Sequence, residues 1–389
     1  MTTLRYAWHW LKVPENFFSA GLLVFALSFI LLPTSKQVNN VYYLGLLLPA
    51  TVCLVSHPPR ILPRAPETVL WLLFFALSGA AGIMGGGSES FFKHLGYSLI
   101  FVLIATNLAS PRLFSESVFK RAAFWTVGTY IFISSMAYWA TGTYAVGERI
   151  VWLPGRMTGP IYTSMWLIAC FALASSVWIK ERRFVELAAA LALSLFCTGY
   201  LLQSRSGFVG LAALPFFLLF GNRQRKDWRR LLSIVLLLAI GVGALWVSGF
   251  LDALISRGDA FRFTIWRRFL SDWQQCGIIR GCGLQHREVF FSLDGQSLKA
   301  HSHNIYVSLG VRLGLLPLLA FVAAQLLTLL RARRNGNSWG LYLAVSLIML
   351  CFDGDLVIGN PDELWLLVWL PAALIANRNT SHESPNAYC

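Results

Sequence analysis

Residues 301–316, HSHNIYVSLGVRLGLL, lead out of a long polar segment and into an apolar run. The polar segment, 251–303, is the longest interruption between apolar runs in the chain, and the run after it, 304–330, is long enough to cross a bilayer. Apolar runs also fill most of the remaining sequence. The pattern therefore predicts membrane-spanning helices that hold the 251–303 segment at a bilayer surface.

The composition is that of a polytopic membrane protein. The 389 residues are 56% hydrophobic and 13% charged, and they include 28 Phe and 15 Trp. The formal net charge of +14 does not indicate nucleic-acid binding, because the Lys and Arg residues fall mostly in short loops between apolar runs. Membrane topology requires basic residues at such positions.

The apolar runs predict an all-α polytopic fold with about 12 transmembrane helices. They lie at 17–32, 41–56, 68–84, 91–109, 122–141, 160–179, 184–202, 207–220, 231–250, 304–330, 339–352 and 363–377. Basic residues are concentrated in alternate loops, which places both termini in the cytoplasm and the 251–303 loop on the outer side. A second outer segment, 141–159, is much shorter, and we interpret it as a solvated connector.

This topology divides the chain into three parts. Residues 1–250 form transmembrane helices 1–9, residues 251–303 form the large outer loop, and residues 304–389 form helices 10–12 with a short cytoplasmic tail. A loop as long as 251–303 is expected to contain structure of its own and to have a function.

Residues 259–273, DAFRFTIWRRFLSDW, have the pattern of an amphipathic helix. At 100° per residue the apolar side chains cover an arc of about 200°, which is typical of a helix lying in the membrane interface. Arg262 falls at the centre of this apolar arc. Two interpretations stay open: the side chain extends to lipid headgroups, or its guanidinium receives a phosphate.

His303 precedes the apolar run 304–330 and is expected at the N-terminus of that helix, with Ser302 or His301 as the cap. The positive end of the helix dipole disfavours an imidazolium, so a neutral ring would be available as a base. The alternative is a histidine with a capping or interfacial role. Arg312, nine residues further on, is predicted to be paired inside the bundle.

Arg205 lies in QSRSG (203–207), a tight outer turn that could offer backbone N–H groups and a guanidinium to an anion. An ordinary interfacial arginine is the alternative. Cys276 and Cys282 share the outer loop, where a disulfide is permitted but spacing alone leaves the bridge undecided. The DGD triplet, 353–355, is either a pair of metal-binding carboxylates or a chance occurrence.

Three motifs in the second half of the chain resemble the shared signature of O-antigen ligases and O-antigen polymerases. They are RFTIW (262–266), GIIRGCG (277–283), and a His303–Asn304 pair followed after nine residues by Gly314. The central turn lacks the usual proline, and Pro317 stands where a small or hydroxyl residue is more common. The resemblance extends over residues 200–330.

The resemblance implies a GT-C-like helical bundle with an outer cavity. It implies transfer of a glycan from undecaprenyl diphosphate to a hydroxyl of the lipid A-core, with inversion and with neither metal nor cofactor. Arg205 and Arg262 would bind the diphosphate, His303 would act as the base, and His301 and Asn304 would contact substrate. The chain would lie in the bacterial inner membrane with its active site facing the periplasm.

Other functions stay open at this point. An O-antigen polymerase would use the same donor, but polymerases of this kind often carry two comparably large outer loops, and here 141–159 is much shorter than 251–303. A protein O-glycosylating ligase is a further alternative. So is a lipid or sugar transporter without catalytic activity, although transporters usually place more ionisable groups within the membrane.

Overall fold

The computed structural model describes residues 13–56, 66–157, 159–221, 243, 262–286, 288–291 and 297–377. Within these ranges the chain is helical apart from one short β-hairpin. The α-helices are α1 (Pro14–Leu31), α2 (Ser35–Tyr42), α3 (Leu48–Ser56), α4 (Pro66–Met84), α5 (Glu89–Leu103), α6 (Pro111–Ser115), α7 (Ser117–Ala140), α8 (Pro160–Lys180), α9 (Phe184–Leu195), α10 (Arg205–Gly221), α11 (Arg262–Cys276), α12 (Ile305–Leu313), α13 (Leu315–Asn335), α14 (Trp339–Met349) and α15 (Leu370–Ala376). Stretches of π-helix adjoin several of them, at Tyr43–Leu47, Ile104–Leu108, Phe196–Leu201 and Trp365–Trp369.

Six helices within the described part of the chain are long and apolar enough to cross a membrane. They are Pro14–Leu31, Pro66–Met84, Glu89–Leu108, Pro160–Lys180, Phe184–Leu201 and Leu315–Asn335, and shorter apolar helices cover Arg205–Leu218, Trp339–Met349 and Trp365–Ala376. The predicted fold class, an all-α polytopic membrane protein, is confirmed. The count of twelve spans stays a prediction, because the expected span 231–250 lies outside the described residues except for residue 243.

Helix ends that the charge pattern places in the cytoplasm lie together at one end of the bundle. Glu67 at the start of α4 pairs with Arg331 near the end of α13. Arg121, near the start of α7, lies 3.6 Å from both Glu181 and Glu186, which flank the turn between α8 and α9. The alternation of sides predicted from the loops therefore agrees with the packing of the helices.

The opposite end of the bundle gathers the segments predicted to lie outside. Arg156 of the 141–159 loop makes a 2.7 Å ion pair with Glu363, and its backbone N–H donates to Phe29 O at the end of α1. Helix α8 runs through the middle of the bundle, where most of its residues are buried, and α7, α9, α10 and α14 pack against it. The packing of α14 on α8 and the ion pair of Glu363 with Arg156 together fix the loop after α14 relative to the other outer segments.

The predicted tenth span, 304–330, is wrong as a single helix. Gly314 divides it into α12 and α13, with φ 88° and ψ 178°, a backbone conformation that is essentially restricted to glycine. A Cβ at Gly314 would overlap the carbonyl oxygen of Ile279 in the outer loop. The break exists because the loop backbone needs the space that a side chain would fill.

The outer loop contains the predicted amphipathic helix and an unexpected hairpin. Helix α11 covers the expected position, although residues 259–261 lie outside the described part. Ile265 and Phe269 on its apolar face pack against Val311 of α12, so part of that face is covered by protein rather than by lipid. Two antiparallel strands, β1 (Glu288–Phe291) and β2 (Ser297–Ala300), follow and lead towards His301.

Candidate active site

Asn304 caps helix α12 and connects it to the loop after α14. Its Oδ1 accepts hydrogen bonds from the backbone N–H groups of Tyr306 and Val307, at 2.9 and 3.2 Å. Its Nδ2 donates to Cys351 O at 2.8 Å. The predicted cap, Ser302 or His301, is therefore wrong, because Asn304 has the extended backbone (φ −162°, ψ 116°) that lets its own side chain reach the free N–H groups.

His303 lies directly before this cap and faces Asp353. Its backbone is left-handed, with φ 48°, a conformation that costs about 1–2 kcal/mol for a residue with a side chain. Its Nδ1 lies 3.1 Å from Asp353 Oδ1, and the side chains of the two residues are 30% and 5% exposed. When Nδ1–H donates to the carboxylate, the lone pair of Nε2 is free to accept a proton. The geometry is suited to a general base held by a buried acid.

Asp353 also reaches Arg262. The Arg262 Nη2 lies 3.7 Å from Asp353 Oδ2, and the guanidinium is mostly buried at the start of α11. Burial raises the pKa of Asp353, but hydrogen bonds from His303 and the Gly354 N–H, together with the charge of Arg262, hold the net pKa below its usual value. The carboxylate is thus ionised between a histidine and an arginine. Arg262 is ion-paired with protein, which argues against its being only a contact to lipid headgroups.

Arg205 is the first residue of α10 and is close enough to Arg262 for the two charges to interact. Burial lowers the pKa of the Arg262 guanidinium; Asp353 acts in the opposite direction, and the charge of Arg205 adds to the lowering. Two neighbouring guanidinium groups and the one carboxylate that pairs with Arg262 leave a surplus of positive charge. Such a site is suited to an anion with several oxygens, for which guanidinium groups have a matching geometry.

His301 stacks on His303, with ring centroids 3.9 Å apart, and its Nδ1 accepts a 3.3 Å hydrogen bond from the His303 N–H. Burial lowers the pKa of His301, and the nearby His303 lowers it further, so a neutral ring is favoured. Of the predicted site residues, the structure thus brings His301, His303, Asn304, Arg262 and Arg205 into one region.

Asp353 belongs to the candidate site, although the sequence indicated for it only a metal ligand or a chance occurrence. The DGD triplet draws attention to its carboxylate, but as one of a pair of metal ligands. In the structure Asp353 contacts the site, whereas Asp355 points to Arg312, 3.0 Å away. Arg312 is paired, as predicted. Its partner lies only two residues from Asp353, so Arg312 lies beside the candidate site.

His301, His303 and Asp353 could also hold a metal ion, since one donor atom from each lies within 4.8 Å of the others. Both oxygens of Asp353 already face partners, His303 on one side and Arg262 on the other. The neighbouring guanidinium charges disfavour a divalent cation at the same position. The residues therefore fit an anionic substrate better than a metal.

A turn closed by a disulfide positions helix α11 against helix α12. Cys276 and Cys282 form the bridge that spacing alone left undecided. The Cys282 N–H donates to Val311 O at 2.6 Å, and the Leu315 N–H donates to Ile278 O at 3.0 Å. Further back, Trp266 Nε1 donates to Ser302 O at 2.8 Å. Contacts at both ends of α11 thus fix Arg262 relative to His303.

Comparison with known proteins points to the same superfamily as the three sequence motifs. The family described as O-antigen ligase matches residues 187–322. A curated protein of Pseudomonas aeruginosa named "O-antigen ligase" is 26% identical over 352 residues, covering 87% of this chain and 84% of that protein. Both findings support the O-antigen ligase superfamily. The resemblance indicated by the three motifs is confirmed.

The superfamily match spans Arg205, Arg262 and His303 but ends before Asp353. The structure explains two features of the superfamily signature. Gly314 is the break against which the loop backbone packs, and GIIRGCG is the turn that provides this backbone. The turn needs no proline here, because its disulfide and its glycines at positive φ, Gly277, Gly281 and Gly283, define its shape.

Proposed function

We propose that this protein is an O-antigen ligase, a glycosyltransferase that moves a glycan from undecaprenyl diphosphate to a hydroxyl of the lipid A-core. The observation that carries the proposal is the buried carboxylate of Asp353, which joins His303 on one side to Arg262 on the other. The Asp353 carboxylate thereby holds both the base and the anion-binding arginine in the same part of the candidate site.

The reaction requires the acceptor hydroxyl to lose its proton as its oxygen attacks the anomeric carbon of the donor. His303 Nε2 takes that proton, and Asp353 stabilises the resulting imidazolium through Nδ1–H. The bond between the anomeric carbon and the diphosphate oxygen breaks, and its electron pair stays on the diphosphate. Arg262 and Arg205 stabilise the charge that develops there. Attack opposite the leaving group inverts the anomeric carbon.

The proposed location is the bacterial inner membrane, with the site at its periplasmic surface. The polyprenyl tail of the donor stays in the bilayer, so the diphosphate must be bound near the interface. The candidate residues lie at helix ends and in loops rather than inside long spans: His303 before α12, Asp353 after α14, and Arg262 at the start of α11. No cofactor enters this proposal, because acid–base and electrostatic catalysis account for each step.

An O-antigen polymerase would use the same donor and the same chemistry. The short 141–159 loop and the name of the Pseudomonas aeruginosa relative, "O-antigen ligase", favour the ligase. A polymerase would extend the lipid-linked glycan, whereas a ligase consumes it. The two enzymes therefore leave different products when they are absent.

The test is the lipopolysaccharide ladder of a strain from which the gene is deleted. For a ligase we expect loss of every capped species and accumulation of lipid-linked polymer, restored by the wild-type gene but not by His303→Ala. Survival of cores with a single repeat would indicate a polymerase, and loss of glycan from proteins instead would indicate a protein O-glycosylating ligase. If purified protein transfers no glycan in vitro, a transporter becomes the better interpretation.

A further inference from the structure

A second polar cluster is centred on Asp355, in the same loop as Asp353, and contacts the helix that follows His303. Asp355 accepts a 2.7 Å hydrogen bond from Ser308 Oγ on its Oδ1. Arg312 Nη1 lies 3.1 Å from Oδ2, and Arg312 Nη2 lies 3.0 Å from Oδ1. Ser308 and Arg312 are one turn apart on α12, so both reach the same carboxylate.

Asp355 differs from Asp353 in how much of its carboxylate stays accessible. The Asp355 side chain is 41% exposed, whereas that of Asp353 is 5% exposed. A carboxylate has about four acceptor positions, and Ser308 and Arg312 occupy three of them from the protein side. The accessible remainder of the group is held rigidly and can accept hydrogen bonds from a bound molecule.

The position of Asp355 relative to His301 and His303 indicates which molecule that would be. The His301 ring stacks on His303, and the charges of Asp355, Asp353 and Arg312 all act on it, whereas those that act on Arg262 are Asp353 and Arg205. His303 contacts one oxygen of Asp353 and Arg262 the other, so the contacts of Asp355 with Ser308 and Arg312 form a separate set. In an inverting displacement the nucleophile enters opposite the leaving group. If the arginines bind the diphosphate, the acceptor approaches past His301 and Asp355.

We propose that Asp355, fixed by Arg312 and Ser308 beside His301, binds hydroxyl groups of the acceptor sugar and orients the attacking hydroxyl towards His303. This inference rests on the proposed function. Its ligand class is a polyhydroxylated sugar, because an ionised carboxylate accepts hydrogen bonds from hydroxyls and a neutral imidazole can both donate and accept them. Sites built to bind a substrate hydroxyl discriminate strongly against molecules that lack it.

A purely structural role for Asp355 is the competing explanation. The Arg312 guanidinium is only 13% exposed, and a buried cation needs a counter-charge. The outer loops offer a matched control in the pair of Arg156 with Glu363, which joins two outer segments and shares no ion-pair partner with Asp355 among the described residues. Substituting each acid by its amide removes one ion pair from the same face of the molecule.

The test measures sugar binding directly, using the core oligosaccharide released from lipid A as the probe and purified protein in nanodiscs. Asp355→Asn should weaken binding of this probe on the order of 10-fold, the loss expected for one charge-assisted hydrogen bond. Binding of the undecaprenyl diphosphate glycan should be unchanged. Glu363→Gln should lower the melting temperature without changing the affinity for either molecule.

Equal probe binding by wild type and Asp355→Asn would overturn the inference, even if the variant lost stability and turnover. In kinetic assays the inference requires the KM for acceptor to rise while the KM for donor stays constant. Failure of the wild-type protein to transfer glycan would contradict the proposed function instead. The binding measurement with core oligosaccharide would still decide the role of Asp355 in that case.

Discussion

At the level of single residues, the position of Asp353 determines what His303 can do. A histidine without a partner can rotate and exchange its tautomers, whereas the 3.1 Å contact to a buried carboxylate favours the proton on Nδ1. The same carboxylate lies beside Arg262. Loss of its charge should therefore affect proton transfer and leave anion binding intact, which separates its role from that of the arginines.

Asp353→Asn should lower kcat by about 10²- to 10³-fold, because an amide cannot stabilise the imidazolium. Donor binding should be retained or become tighter, since Arg262 loses its competing negative partner. Turnover and donor affinity would be measured on the same purified variant. Cys351→Ser, a change of a side chain in the same loop, serves as the control with wild-type activity. Loss of donor binding by Asp353→Asn would contradict this assignment.

Transfer activity should persist in excess EDTA, because arginines and a His–Asp pair supply the charge stabilisation and the base. The measurement is glycan transfer by purified protein before and after chelation, followed by addition of Mg²⁺, Mn²⁺ or Zn²⁺. Activity that disappears and returns with one of these ions would make His301, His303 and Asp353 metal ligands.

Asp362 should make the stability of the protein dependent on pH. Burial, together with the adjacent Glu363, raises the pKa of Asp362 from 3.8 to about 8, despite the opposing charge of Arg156. Between these values the folded state holds a proton that the unfolded state has lost. The free energy of unfolding therefore has its full contribution from Asp362 below about pH 4 and loses it as the pH rises through about 8.

Asp362→Asn removes this titration and keeps an oxygen that can accept the 3.0 Å hydrogen bond from the Leu364 N–H. Between pH 6 and pH 9 the melting temperature of wild type should fall by about a few degrees more than that of the variant. Tryptophan fluorescence during thermal unfolding in detergent would measure the difference. Parallel pH curves for the two proteins would refute the assignment.

At the level of structural elements, the break between α12 and α13 sets the position of the start of α12, where the candidate base lies. The break depends on Gly314, whose backbone conformation excludes side chains and whose surface is covered by Ile279 O. The Leu315 N–H donates to Ile278 O across the same contact. An altered residue at this point would move the loop turn, and with it α11, relative to His303.

Gly314→Ala should destabilise the protein by about 2 kcal/mol or more, from backbone strain and overlap with the loop. Activity should fall together with stability. Gly96→Ala is the matched control, because a Cβ at this helical glycine meets no atom within 4 Å and alanine favours a helix. Thermal unfolding and transfer activity of both variants would be compared. Wild-type stability of Gly314→Ala would show that the loop adapts to the added methyl group.

At the level of the whole molecule, contacts between helix ends place two groups of loops at opposite ends of the bundle. One group includes the pair of Glu67 with Arg331, and the other includes the pair of Arg156 with Glu363. Packing alone does not say which end faces the cytoplasm. The excess of Lys and Arg in the first group of loops predicts that this end faces the cytoplasm.

Cysteine labelling in intact cells tests this orientation in a background without the free cysteines. A cysteine at Ser90, exposed near the start of α5, should react with a membrane-impermeant reagent from the periplasm. A cysteine at Asn335, exposed at the end of α13, should react only after the inner membrane is permeabilised. The reverse pattern would invert the orientation and move the candidate site to the cytoplasmic surface.

The sequence by itself determined the features that depend on neighbouring residues. Lengths of apolar runs predicted the fold class, alternating charges predicted the sides of the loops, and the spacing of Phe, Ile and Trp around Arg262 predicted helix α11. The signature around His303 predicted the superfamily. These signals are available without a structure because hydropathy, periodicity and charge are local properties of the chain.

Only the tertiary structure decided which distant side chains meet. Asp353 lies 50 residues from His303, and Asn304 bonds to a carbonyl 47 residues away. The docking of Ile279 on Gly314 and the pairing of Arg312 with Asp355 are likewise contacts between distant parts of the chain. Each depends on how the helices pack and where their ends come together. A local pattern indicates the chemistry of a side chain, but the packing of the helices determines which partner that side chain contacts.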